Sequence, residues 1–195
     1  MPSTVIIECL TGVNGTPQTI TNHRFNLGDT PVPGLTNPLR VPTSGTADSW
    51  WCSHRAKYSG AYTELSDFKL SSSGSIAAAW ALGTGGMVRI GTKLTGDSGC
   101  PDGSYQQAAG STSPLTGYAL DDVANGHAYY NNPETDLVDN FDNYPAANPL
   151  LIDSGPYGPN VTGHTKHWCL QCRYGSDAAP GDRVTQTVTL TWAEI

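Results

Sequence analysis

The sequence predicts an all-β fold, and three observations carry that prediction. Two segments near the C-terminus alternate apolar and polar residues with the period of two that marks a half-buried strand. The 195 residues include 22 Gly and 14 Pro, many of them in clusters with Ser, Thr and Asn that join short strands through turns. Only 14% of the residues are charged, too few for solvent-exposed helices lined with Glu/Lys pairs. The expected architecture is a single domain over 1–195, a β-sandwich or jelly-roll-like domain with a long loop-rich insertion at 95–163.

At the N-terminus, Val5, Ile7 and Cys9 alternate with Thr4, Ile6 and Glu8, which predicts a strand. Further strands are expected at Thr19–Phe25, Trp50–Tyr58, Glu64–Leu70 and Met87–Leu94. Adjacent Trp50 and Trp51 put one indole on each face of their strand, so one is expected in the core and the other towards solvent, an interface or a glycan. Pro31, Pro33, Pro38 and Pro42 keep Thr30–Thr43 extended and out of any central strand. Ile76–Leu82 holds three successive Ala but is boxed in by Gly74, Gly83, Gly85 and Gly86, and reads as a strand or an irregular piece. Trp168, Leu170, Cys172 and Tyr174 alternate with Cys169, Gln171 and Arg173 to predict another strand. After the turn residues Gly175–Asp182, the run Val184–Trp192 sets Val, Gln, Leu and Trp against four threonines.

The region 95–163 differs from the rest. It carries seven of the fourteen prolines, and from Leu94 to Thr165 there is no Lys or Arg against eight Asp and one Glu. Such a charge balance excludes nucleic acid as a partner, since phosphate contacts need clustered cations. It reads either as a solvated acidic face or as a surface for a basic partner or a cation. The aromatic load is too high for a disordered linker, so the region is expected to be ordered against the domain or a neighbouring subunit. Tyr129, Tyr130, Phe141 and Tyr144, with Trp51, are the candidate interface residues.

Five cysteines at irregular spacing make a poor disulfide framework, and buried reduced thiols are expected. His164, His167, Cys169 and Cys172 offer zinc-ligand chemistry, but a strand would point Cys169 and Cys172 to opposite faces. Asp136, Asp139 and Asp142 offer oxygen ligands to Ca²⁺ without the order of a calcium loop. Neither set is expected to hold a metal, and no cofactor is expected. No Gly-x-Ser-x-Gly, His-Glu-x-x-His or phosphate-cradling loop is present, so the chain is expected not to be an enzyme. Neither a signal peptide nor a membrane span stands out, which suits synthesis in a cytoplasm.

Asn37-Pro38-Leu39-Arg40-Val41-Pro42, leading through Ser44-Gly45-Thr46 to Ser49-Trp50-Trp51, is one end of a longer pattern. Glu64–Leu70, a Gly-rich stretch, Trp168-Cys169-Leu170-Gln171-Cys172, Ala179-Pro180-Gly181 and Thr185–Trp192 continue it. The pattern resembles small β-rich virion structural proteins of tailed phages and related metagenomic viruses, over about half of the chain and with no catalytic residues to carry over. The resemblance implies a multi-copy component of a virus particle, such as a capsid decoration, head-fibre, collar or tail protein. Its partners would be copies of itself, as a homo-oligomer, and other virion proteins. A carbohydrate-binding or receptor-recognition module is the alternative expectation.

Overall fold

The computed structural model describes residues 2–30 and 37–195, so Pro31 and Pro33 of the proline-rich run lie outside the described residues. The chain is all-β, with 39% of residues in strands and 5% in helices. In order the strands are β1 (Thr4–Thr11), β2 (Thr16–Thr19), β3 (Thr46–Asp48), β4 (Cys52–Ser59), β5 (Leu65–Ser71), β6 (Met87–Lys93) and β7 (Gly110–Thr112). They continue as β8 (Leu115–Gly117), β9 (Asp136–Asn140), β10 (Leu150–Asp153), β11 (Gly163–His164), β12 (Trp168–Gly175) and β13 (Thr189–Glu194). One helical turn, α1 (Ile76–Ala79), lies between β5 and β6.

Ten strands form one sheet and β10, β5 and β13 form a second, with every strand pairing antiparallel. The axis of the large sheet is β12. One edge of it pairs with β4 and then β3, which are a single strand interrupted at Ser49–Trp51, and the other edge pairs with β6. At the interruption Ser49 N still donates to Cys172 O at 2.8 Å and the Ser49 hydroxyl accepts from Cys172 N at 2.9 Å, so the ladder stays satisfied.

The period of two in β12 sorts its side chains onto two different cores. Trp168, Leu170, Cys172 and Tyr174 face the small sheet, meeting Leu70, Leu150 and Ile152 together with Val88, Ile90 and Ala56. Cys169 faces the other way, with Trp51, Cys100, Ala108, Leu120 and Tyr130. Cys169 and Cys172 therefore lie on opposite faces, as strand geometry requires. All five cysteines are buried and unpaired.

The 95–163 region is woven into this framework. Its first part lies over the second face of the large sheet; β9 pairs with β6 and β10 pairs with β5. Gly91 is the contact point: a Cβ there would stand 2.7 Å from the Tyr130 ring, whose hydroxyl donates to Ser98 O at 2.9 Å. Burying one such aromatic contributes roughly 1.5–3 kcal/mol.

Three local expectations are corrected. Ile76–Ala79 is helical rather than extended, because the distant Asp142 carboxylate accepts from Ile76 N at 2.7 Å and Ala77 N at 3.0 Å, capping an Ala run of high helix propensity. Thr19–Phe25 does not form a strand: β2 ends at Thr19, and the chain then crosses the apolar face of the sheet. Val184–Trp192 pairs only from Thr189, because its partner β5 ends at Ser71 and Ser72 N turns to donate to Tyr144 O. The alternation nevertheless runs further back, with Gln186, Val188 and Leu190 half-buried and Thr185, Thr187, Thr189 and Thr191 exposed.

Candidate functional site

Cys9 stands opposite His54 in the β1–β4 register, so both side chains project from the face turned to the small sheet. The segment after β2 is laid over this face. Ile20 N donates to Ile7 O and Trp50 N to Asn26 O, both at 3.0 Å, and Phe25 packs edge-on to Trp80. His23, on that segment, meets the His54 ring at 4.8 Å between centroids and 86° between planes, while His54 stacks on Trp168. One donor atom each from Cys9, His23 and His54 lies within 4.8 Å of the other two.

Cys9 is 1% and His54 3% exposed. Both ring nitrogens of His23 and Nδ1 of His54 are shut off from solvent without a hydrogen-bond partner. Burial lowers His23 to about 4 and holds His54 well below the ordinary histidine range, His23 adding to the effect. Burial, helped by the charge of Asp29, pushes the Cys9 thiol up to about 12. The cluster is thus two neutral imidazoles and a thiol, the donor set of a transition-metal site. No linear motif announces it, since its members come from β1, the crossing segment and β4.

On the opposite face, the acidic region meets three cations of the chain itself and the His167 ring, which burial holds below the ordinary histidine range. Asp121 lies 2.5 Å from Arg89, Asp97 2.8 Å from Lys166, and Asp102 2.6 Å from His167, while Asp136 pairs with Lys93. Arg89 is 2% exposed; its Nη1 also donates to Gln171 Oε1 and lies 3.8 Å from Asp48, which Arg173 grips through two bonds of 3.0 Å. Burial opposes ionisation of Asp97 and Asp136, but bonds from Lys166 and Ser154 and from Lys93, Thr135 and Asn132 hold both below the usual carboxylate range.

The candidate zinc ligands His164, His167, Cys169 and Cys172 are not brought together. His164 Nε2 lies 4.0 Å from Glu8, His167 touches Asp102, Cys169 Sγ is 3.3 Å from Ser53 Oγ, and Cys172 is in the other core. The calcium candidates are dispersed too: Asp136 is bound to Lys93, Asp139 accepts from Tyr144 OH at 3.0 Å, and Asp142 caps α1. Among the interface candidates, Trp51, Tyr130 and Phe141 are at most 2% exposed and belong to the cores. Tyr129 and Tyr144 are half-buried, Tyr129 with the Lys93 ammonium 3.8 Å above its ring. Trp50 packs beside Trp51 against the same core, so neither indole stands free.

The second sheet presents β13 as an edge: among the described residues one side pairs with β5 and the other with nothing. Within β13, Thr189–Ala193 contains no charge and no proline, the devices that ordinarily guard such an edge, and only the terminal Glu194 is charged. Comparison with protein-family models, curated proteins and solved structures finds no match.

Proposed function

We propose that this chain is a non-enzymatic structural protein that assembles in many copies within a virus particle, as a capsid decoration, head-fibre, collar or tail component. The observation that carries the assembly reading is the free side of β13, whose Thr189–Ala193 stretch has no charge and no proline. An unpaired row of backbone donors and acceptors recruits a second strand, and β-branched residues favour the pairing. The virus assignment rests on the resemblance of the Asn37–Trp51 and Trp168–Trp192 segments to small virion proteins. The finer fold is a β-sandwich of jelly-roll-like character. Its support is antiparallel pairing and a chain that passes between the sheets from β4 to β5, β5 to β6, β9 to β10, β10 to β11 and β12 to β13.

The test is the oligomeric state of the purified chain by analytical ultracentrifugation, paired with a quantitative count in particles of the virus that encodes it. Closed oligomers, dispersed to monomers by the double variant Thr189→Lys/Thr191→Lys with unchanged circular dichroism, are expected, together with many copies per particle. A chain that stays monomeric and is missing from the particles removes the reading. Stoichiometric glycan binding by that monomer establishes the recognition module instead.

A further inference from the structure

We propose that Cys9, His23 and His54 form a binding site for a single divalent transition-metal ion of the zinc class, which pins the segment following β2 to the large sheet. The site stands independently of the assembly reading.

Its geometry is assembled by elements that are rigid for other reasons. The β1–β4 register holds Cys9 and His54 on one face, and the crossing segment is fixed on both sides of His23 by Ile20 and Asn26. Zinc–sulfur and zinc–nitrogen bonds of about 2.3 and 2.0–2.1 Å place tetrahedral donors roughly 3.3–3.8 Å apart. Donor atoms already within 4.8 Å of one another reach that by side-chain rotation of about an ångström.

The second observation is independent of spacing: three imidazole nitrogens at the site are buried with no partner. A buried polar nitrogen left unsatisfied is destabilising, and such groups are rare without a ligand to answer them. Phe25 packs edge-on to His23 and Trp168 stacks on His54, so the cluster's nitrogens are shut off from solvent. The donor set selects the ion: one thiolate and two imidazoles suit Zn²⁺, Co²⁺ or copper and not Ca²⁺ or Mg²⁺. No fourth Cys, His, Asp or Glu joins the group among the described residues. On binding, the Cys9 S–H bond is replaced by a sulfur–metal bond and its proton passes to solvent. The imidazoles, already neutral, release none.

The experiment uses the full chain, stripped with a chelator and kept reduced by a non-coordinating phosphine, then titrated with Zn²⁺ and separately with Co²⁺. One ion per chain, one proton released per ion and a thiolate-to-cobalt charge-transfer band are expected. Cys9→Ser should abolish the band, and His23→Ala, which leaves the β1–β4 ladder intact, should weaken binding by more than about a hundredfold. His164→Ala should leave affinity unchanged. Circular dichroism and the denaturation midpoint of each metal-free variant separate lost binding from lost folding. Absence of stoichiometric binding overturns the proposal, as does binding that survives both Cys9→Ser and His23→Ala.

Discussion

Asp48 shows how much a single side chain carries. It accepts both bonds of the Arg173 fork and lies beside the buried Arg89, so its removal leaves the Arg173 guanidinium without its counter-charge and Arg89 with Asp121 alone. Breaking a buried pair from one side costs about 3–5 kcal/mol, far more than the median surface pair. Asp48→Ala is expected to lower stability by that amount in urea denaturation. Glu134→Ala, at an exposed acid of the same sign, should change it by less than about 0.5 kcal/mol. Equal effects would show that net charge, rather than this network, decides stability. Lys93 is held similarly, by Asp136, the Tyr129 carbonyl and the Tyr129 ring.

At the scale of elements, α1 is made by tertiary structure. Four residues are too short a helix to hold themselves, and Asp142, from the far side of β9, supplies the acceptors for their orphan N–H groups. Asp142→Ala is expected to cost about 0.5–2 kcal/mol by denaturation, the usual range for a lost cap. A calcium-dependent change in the native midpoint that vanishes in this variant would instead restore a cation role. The same dependence on partners explains β13. Its alternation begins at Val184, but hydrogen bonding begins at Thr189, where β5 becomes available. Its free side is the feature on which assembly is proposed to act.

For the whole molecule, the buried histidines set the response to acid. His23 and His127 are lowered to about 4, His127 chiefly by burial with His167 adding, and His54 lies well below its usual range. Above the unfolded value of 6.5 these rings are neutral in both states. As pH falls through 6.5 the unfolded chain takes up protons that folded His23 and His127 refuse until about 4 and folded His54 until well below 6.5, so stability declines across that window. Each ring contributes about 1.4 kcal/mol per pH unit, and three together about 4. Asp97 and Asp136, with lowered values, extend the loss below the ordinary carboxylate range. Urea midpoints of the metal-free chain should fall steadily from pH 7 to pH 4.5. A flat profile there would mean that the imidazoles protonate within the fold.

What the amino-acid sequence determined by itself was local. Alternation of the Trp168–Tyr174 kind specifies a strand and its two faces, Gly and Pro clusters specify turns, and five irregularly spaced cysteines make a poor disulfide framework. The charge asymmetry of Leu94–Thr165 was equally legible, but its meaning was not. Asp121, Asp136 and Asp97 answer Arg89, Lys93 and Lys166, and whether an acidic run faces solvent or the chain's own cations depends on which face of a sheet it covers. Phe141 and Tyr130, read as interface aromatics, became core for the same reason. The metal-ligand set lay furthest from reach. Cys9, His23 and His54 occupy no motif spacing, and only the antiparallel register of β1 with β4 and the path of the crossing segment bring them together. Short-range pattern encodes φ, ψ and which face a side chain takes. Convergence of distant donors is a property of strand register and layer order, which three-dimensional packing alone decides.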